Sequence, residues 1–404
     1  MNGIRKVGCR VYQELFHLAI PFLPYRDPEQ TNSLEDIPVI LRKNRTDRVL
    51  VVTDRGLEQA GVLDILRGVL ERGGIEYVVY ADTVANPTIE NVESARQMYI
   101  DFGARAIIAL GGGSSMDCAK AAGARIVKPK QQIPQMKGIL HVHKRLPLLI
   151  AVPTTAGTGS ETTLAAVITD SQKHHKYPIN DFPLIPRYAV LDYHLTTGLP
   201  KSITATTGMD ALTHAIEAYI GRSTTKQTRA MAVEATGLIH KYLYRAYTNG
   251  QDAEARQKML RAAYCAGLAF SKSYVGYVHA VAHSLGGQYG TPHGLANAIL
   301  LPIVLKEYGS AIYAKLGRLG RMSGVAAENV TDKEAAEVFI RWIEQMNRDM
   351  QIPSEVADIR EEDIPTMAQY ADKEANPLYP VPVLMDAKEL EHLYRISMSH
   401  HQDN

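Results

Sequence analysis

The sequence predicts an α/β domain built on a parallel sheet over residues 1–199, followed by an all-helical domain over residues 200–404. Three observations carry this reading. From about residue 47, short β-type runs alternate with helical patterns, the arrangement of right-handed βαβ units. The clearest run, RVLVVT, is apolar on both sides, as a strand in a sheet covered on both faces must be. After Thr197-Gly198-Leu199-Pro200 the strand-like runs nearly vanish and long helical patterns take over.

Residues 1–46 form an N-terminal extension counted with the α/β domain. Its start, MNGIRKVGCRVYQELFHLAIPFLPYR, is mildly basic and then apolar, but Glu14, His17 and Pro21 interrupt it and no small-residue cleavage site follows. It reads as a helix packed on the body rather than a targeting signal. Arg48–Thr53 is the first strand, and Leu57–Arg72 is a helix stopped by Gly73-Gly74. Ile75–Tyr80 is the second strand, Asn86-Pro87-Thr88 caps the next helix, and Arg105–Leu110 is the third strand. Leu148–Val152, Leu164–Thr169 and Ala189–Leu191 are further strands. The helical half is read from Met209–Ile220, Thr228–Tyr247, Ala253–Phe270 and Ala335–Met350. No fixed-period repeat or low-complexity tract is present.

Composition narrows the function classes. The 404 residues are 46% apolar and 22% charged, which excludes disorder. A formal charge of +1, from 44 basic against 43 acidic residues, leaves no basic excess for nucleic acid as the main partner. No apolar stretch reaches the roughly 18 residues a membrane span needs, so no membrane partner is expected. Cys9, Cys118 and Cys265 form no CxxC pair, which argues against a disulfide framework and for a reducing, cytoplasmic compartment.

Two loops suggest a nucleotide site. Ala109-Leu110-Gly111-Gly112-Gly113-Ser114-Ser115-Met116-Asp117 follows a strand and opens a helix, so glycines allow close approach and free amides face a phosphate or pyrophosphate. A tight turn with a serine N-cap is the plainer reading, and the segment lacks the GxGxxG fingerprint. Asp54 ends the first strand at the sheet's carboxyl edge, where its carboxylate would accept ribose hydroxyls and repel a 2′-phosphate, favouring NAD over NADP. Alternatively it only caps the next helix, and Arg55 beside it weakens the cofactor inference. Pro153-Thr154-Thr155-Ala156-Gly157-Thr158-Gly159-Ser160-Glu161 also follows a strand and offers hydroxyls to the same crevice, although such clusters are commonly plain loops.

The helical half carries sharper chemistry. Asp210 and His214 lie four apart, on one face of a helix. His279 and His283 repeat that spacing, and His293 follows after Gly286-Gly287, which suggests a helix break that folds His293 back toward His279. One carboxylate with several imidazoles suits Fe(II) or Zn(II) rather than calcium or magnesium. A lone Asp-x-x-x-His pair is otherwise a salt bridge or cap, and His283 alone a satisfied core histidine. His174-His175 and His400-His401 read as solvated loop and tail residues.

GGGSSMD, PTTAGTGSE, GMDALTHAIEAY and HAVAHSLGGQYGTPHGLANAILLP together resemble the iron-containing (group III) alcohol dehydrogenase family, in matching order over roughly residues 35–385. That resemblance implies a dinucleotide-binding α/β domain, a helical metal-binding domain and an active site in the cleft between them. It implies metal ligation by Asp210, His214, His279 and His293, with His283 beside the metal in contact with substrate or nicotinamide. It likewise implies that Gly112, Gly113, Ser114 and Ser115 hold the pyrophosphate, with Asp117 near the nicotinamide end. Thr154, Thr155 and Thr163 then line the cofactor, Asn86 and Lys176 contact the nucleotide, and Asp54 falls where NAD-preferring members are acidic. The extension over residues 1–46 exceeds that of short members.

The expected activity is reversible hydride transfer between NAD, less readily NADP, and a small primary alcohol or diol. Fe(II), or else Zn(II), polarises the substrate oxygen, and His283 relays the proton. Family habit implies a homodimer or larger assembly. The competing readings are a dehydroquinate-synthase-like lyase, whose phosphorylated sugar-acid substrate calls for a basic cleft, a metal-free reductase of the maleylacetate reductase kind, and a nucleotide-binding scaffold with a structural metal.

Overall fold

The computed structural model describes residues 1–172 and 175–398. His174, His400 and His401 lie outside the described residues, as does the side chain of His175. The chain forms two compact units, one of Pro24–Gly198 and one of Met1–Leu23 with Leu199–Asn404.

The described residues of the α/β unit contain nine strands: β1 (Glu29–Thr31), β2 (Arg48–Val52), β3 (Glu76–Tyr80), β4 (Ala106–Gly111), β5 (Gly138–Ile139), β6 (Leu148–Pro153), β7 (Ala165–Asp170), β8 (His175–Asn180) and β9 (Tyr188–Val190). Six form a parallel sheet in the order β1-β9-β6-β4-β2-β3. Alternation along the strands divides their side chains between two cores. Leu50, Val52, Ile107, Ala109, Leu149 and Ala151 face the helices Ile89–Phe102 and Gly113–Val127. Val49, Val51, Ile108, Leu110 and Ile150 face Ile37–Lys43 and Val62–Arg72. Burial on both faces explains why these strands read as continuous apolar runs.

Several expectations need correcting. Leu164–Thr169 is a strand, but as β7 it pairs antiparallel with β8 in a separate three-stranded sheet, β5-β8-β7. Its alternating burial, unlike the uniform burial of β4, is the signal for that difference. The helix expected over 57–72 is two helices, Arg55–Gln59 and Val62–Arg72, divided at Gly61 with φ +73°. Glycine tolerates that left-handed conformation, and the break turns the chain. Residues 1–23 pack with the helical unit, not with the α/β domain. Arg5 makes a bidentate pair with Asp372 at 2.8 and 2.7 Å, Arg10 donates to the Val381 and Pro382 carbonyls, and Gln13 donates to the Tyr379 carbonyl.

In the helical unit, Lys201–Ile220, Lys226–Thr248 and Ala253–Ser273 pack against one another. Tyr277–Tyr289, His293–Tyr308 and Ile364–Ala375 complete the surroundings of the candidate metal residues. Lys201–Ile220 is buried along nearly its whole second half, the environment of a central helix. The Gly286-Gly287 break does not occur, because the helix runs through both and ends at Gly290 with φ +69°. Among the described residues, no single helix is long and apolar enough to cross a membrane.

A buried ammonium braces the polar loops. Lys120 sits in Gly113–Val127, fully buried, and its Nζ lies 2.7–3.0 Å from Ser160 O, Ser160 Oγ, Thr163 O, Thr163 Oγ1 and Ala165 O. Burial pushes Lys120 down to about 8 and Glu161 nearby up to about 7. Replacing Lys120 strands these acceptors without a donor. Lys120→Met should therefore destabilise the α/β unit by roughly 3–5 kcal/mol, as removal of one partner from a buried charge network does. Urea unfolding followed by circular dichroism checks this, and a midpoint equal to wild type would contradict the bracing role.

Candidate active site

The carboxyl end of β4 delivers the glycine loop. Gly111 has φ +152°, and a Cβ there would meet Ser115 Oγ at 2.5 Å, so only glycine permits the turn. Gly112 is the N-cap of Gly113–Val127, and no side chain caps this end, contrary to the serine-cap reading. Asn86, in the left-handed region at φ +59°, donates its N–H to Ser114 Oγ at 3.4 Å and accepts from Lys176 Nζ at 2.7 Å. Thr155 lies against Gly112, and the Thr154 N–H donates to Gly111 O at 3.1 Å. The structure thus brings together Asn86, Gly112, Gly113, Ser114, Thr154, Thr155 and Lys176 from four separate stretches of sequence.

Other predicted cofactor residues turn inward. Asp54 caps Arg55–Gln59, accepting the Leu57 N–H at 3.0 Å and the Ser115 hydroxyl at 3.4 Å. Ser115 is buried, so its hydroxyl ties the loop to Asp54. Asp117 accepts Ser160 Oγ and the Val167 N–H, each at 3.0 Å, and Thr163 Oγ1 serves Lys120. Asp117 and Thr163 thus carry internal bracing bonds between the polar loop and the helix that follows the glycine loop. Their polar side chains meet needs created by neighbouring loops, which local sequence does not reveal.

In the helical unit, the candidate donor atoms of Asp210, His214, His279 and His293 all lie within 4.8 Å of one another. Asp210 and His214 come from successive turns of Lys201–Ile220, His279 from Tyr277–Tyr289, and His293 opens His293–Tyr308. A Cβ at Gly294 would meet Thr206 O at 2.6 Å, so this glycine lets the third helix approach the first closely. Asp210 Oδ1 lies 3.7 Å from His279 Nε2 and 3.4 Å from His293 Nε2. Phe270 stacks on His214 with ring centres 4.0 Å apart, and His214 stacks on His279 at 4.5 Å.

These donors fit a cation. His279 Nδ1 lies 2.6 Å from Glu217 Oε2, while its buried Nε2 has no hydrogen-bond partner. The Nδ1–H donates to Glu217, which aims Nε2 at the Asp210 carboxylate, where a bound cation takes the place of the Nε2 proton. Metal–ligand bonds of about 2.1 Å at tetrahedral angles separate donors by roughly 3.4 Å, close to the spacing seen here. Burial by itself raises the Asp210 carboxyl, but His214, His293 and His279 outweigh it and hold the group far below the ordinary carboxylate range. Burial lowers His279, yet Glu217 and Asp210 raise it to about 9. Burial and the neighbouring imidazoles leave His293 well below its ordinary value, despite Asp210.

Four further residues escaped the sequence reading. Glu217 accepts the Gly276 and Val278 N–H groups at 2.8 Å as well as His279, so one carboxylate caps a helix and orients a donor. Its place three residues after His214 on the same helix face was the available signal. Asn297 Nδ2 donates to Asp210 Oδ1 at 2.7 Å and lies 3.1 Å from His293 Nε2, four residues earlier on its helix. His283 stacks on His293 with centres 5.1 Å apart, and its Nδ1 lies 2.7 Å from Glu374 Oε1, which also accepts the Tyr379 hydroxyl at 2.7 Å. Burial raises the Glu374 carboxyl, but His283 and Tyr379 bring it below its ordinary value. No sequence spacing links positions 283 and 374.

A carboxylate and three imidazoles at cation spacing, in a chain whose parallel sheet ends on a glycine loop, define a metal-dependent dehydrogenase. Comparison with known proteins makes this specific. Residues 29–193 match the model of the iron-containing alcohol dehydrogenases, and residues 204–398 match the C-terminal part of the Fe-containing alcohol dehydrogenase family. The chain belongs to this family, and it is an oxidoreductase acting on CH–OH groups. It is 37% identical to the lactaldehyde reductase of Escherichia coli (strain K12) over 334 residues, 82% of this chain and 87% of that protein. It is 34% identical to the NAD-dependent methanol dehydrogenase of Bacillus methanolicus over 355 residues, 87% and 92% of the two chains. The crystal structure of a 1,3-propanediol oxidoreductase superposes with a TM-score of 0.87 at 33% identity, covering 93% of this chain and 99% of the other.

Glu217 generates a direct test. Glu217→Gln should keep the helix cap partly intact but weaken metal binding by about 10–100-fold, the usual cost of losing a partner that orients a ligating histidine. Chelator competition on the purified enzyme measures this, and unchanged affinity would show that Glu217 only caps.

Proposed function

We propose that this enzyme interconverts a short primary alcohol or diol and its aldehyde, with NAD preferred over NADP. The observation that carries the reading is His279 Nε2, buried and without a hydrogen-bond partner, set 3.7 Å from the Asp210 carboxylate among three buried or part-buried imidazoles. The relatives named above act on lactaldehyde, methanol and 1,3-propanediol by their names, and this supports a small substrate. Asp210, His214, His279 and His293 hold the metal, Fe(II) in preference to Zn(II). Asn86, Gly112, Gly113, Ser114, Thr154, Thr155 and Lys176 hold the nucleotide. The organism-level readings, a cytoplasmic enzyme acting as a homo-oligomer, draw support from three free, buried cysteines and from family habit.

Bound at these residues, a divalent metal supplies Lewis acidity toward the substrate oxygen, and the nicotinamide supplies the hydride chemistry. The remaining work belongs to the chain. Glu217 fixes His279 in the tautomer that presents Nε2, and Asn297 holds Asp210 in place. Glu374, steadied by Tyr379, accepts a hydrogen bond from the Nδ1–H of His283, so His283 Nε2 is left to exchange the substrate's proton with solvent. The apolar wall of Phe270 behind His214 excludes water from one side of the donor set.

The deciding experiment follows NADH oxidation against short aldehydes, using anaerobically Fe(II)-reconstituted protein with chelated and Zn(II)-reloaded samples in parallel. Turnover should require metal, and His279→Ala should lose both bound metal and activity while keeping its circular dichroism spectrum. Normal turnover by metal-free protein would defeat the reading. Asp54 is tested separately, because Asn caps a helix as well as Asp does. Asp54→Asn should raise NADPH use relative to NADH by about tenfold, the effect of relieving roughly 1–2 kcal/mol of like-charge repulsion. An unchanged preference would assign Asp54 to capping alone.

A further inference from the structure

The segment 377–382, Pro-Leu-Tyr-Pro-Val-Pro, carries Tyr379 into the site. Proline has no N–H and cannot join a helix or a ladder, so this stretch has no regular structure to set its path. Its carbonyls find donors elsewhere. Gln13 Nε2 donates to Tyr379 O at 2.7 Å and to Pro377 O at 3.2 Å, and Arg10 donates to Val381 O at 2.7 Å and to Pro382 O at 2.8 Å. The Arg222 N–H takes the Pro380 carbonyl at 2.7 Å. The N-terminal helix Gly3–Ala19 thus holds the segment on both sides of Tyr379. Gln13 is 2% exposed, and its Oε1 accepts Arg10 Nη1 at 2.8 Å, so the buried amide is satisfied at both ends. A helix that merely covered the core would turn its apolar side inward. Here Val7, Val11 and Leu15 are each more than half exposed, while a glutamine and an arginine face the segment.

A second contact leads to the same place. Phe16 of this helix meets Tyr274 edge-on with ring centres 4.9 Å apart, and Tyr274 lies 6.3 Å from Tyr379. Tyr274 ends the helix Ala253–Ser273 with φ +60° and ψ −178°, a conformation essentially confined to glycine. Such strain persists only where the surroundings hold the residue in place, and both Phe16 and Tyr379 bear on its ring. The Tyr379 hydroxyl donates to Glu374 Oε1 at 2.7 Å, the same oxygen that lies 2.7 Å from His283 Nδ1. We propose that Gln13 and Phe16 are positioning residues for His283: the N-terminal helix fixes Tyr379, whose hydroxyl keeps Glu374 aimed at Nδ1. This inference rests on the proton relay assigned to His283 above.

Kinetics and a histidine resonance together test it on the full-length protein. In the metal-loaded enzyme, Gln13→Met and Tyr379→Phe should each lower kcat by about 10-fold, part of the roughly 10²–10⁴-fold that a positioned proton relay contributes. Bound metal and the aldehyde KM should stay unchanged. The double variant should lose no more than Tyr379→Phe alone, because both changes act on one hydroxyl. Phe16→Leu keeps the amide bonds, should fold in any case, and should show the same non-additivity. Leu15→Gln, on the exposed side of the helix, should change nothing. Losses that multiply would show that the helix only stabilises the fold and would overturn the proposal. The second readout needs no turnover: in Zn(II)-loaded protein labelled with 15N-histidine, the His283 Nδ1–H signal, assigned with His283→Gln, reports its bond to Glu374. It should move in Gln13→Met, Phe16→Leu and Tyr379→Phe and stay in place in Leu15→Gln. A signal unmoved in Gln13→Met and Phe16→Leu would sink the proposal whatever the substrate. Moved signals in a protein that turns over no alcohol or aldehyde would keep the positioning and defeat the dehydrogenase reading instead.

Discussion

The helical unit is organised around one buried carboxylate. An isolated Asp210 in this interior would cost several kcal/mol. Three imidazoles and the Asn297 amide surround it instead, and their combined field keeps it ionised. That requirement dictates where three helices meet, and it explains why polar residues occupy positions in Lys201–Ile220 that the packing would otherwise give to leucine. Glu217 extends the same logic outward by neutralising His279 and closing the amino end of Tyr277–Tyr289.

The α/β unit solves a parallel problem with the opposite sign. Lys120 is an ammonium with no exposed surface, and its stabilisation comes mainly from carbonyls and hydroxyls of one loop. Asp117 grips the same loop from the neighbouring position. The consequence is a polar loop tied to buried charges on one side and lying against the glycine turn, through Thr155 and Thr158, on the other. The two units thus each rest on a buried charge whose partners include residues distant in sequence.

The pattern of legibility follows from these physics. Every strand of the large sheet long enough to show a continuous apolar run was readable, because burial on two faces leaves no alternative composition. The three-residue β9 was readable because all of it is buried, whereas the polar, largely exposed β1 and the two-residue β5 left no apolar run. β8 was hidden by Pro178 and by the polar residues on its outward face. Asp210, His214 and His279 were readable because helical spacing of four places such pairs together before any tertiary contact forms. Glu374, ninety-one positions beyond its histidine, had no local trace.

Composition, period and spacing are local quantities, and they were sufficient to establish two architectures, a glycine loop and a set of candidate donors. The direction in which each polar side chain finally turns is a different kind of fact. Asp117 and Thr163 turned inward, Asp54 became a cap, and residues 1–23 joined the helical unit, because each buried polar group must find a partner wherever the folded chain supplies one. The Asp54 cap bonds Leu57 three residues on and was open to local reading, but the other partners lie tens to hundreds of residues away, so only the tertiary structure could decide among them.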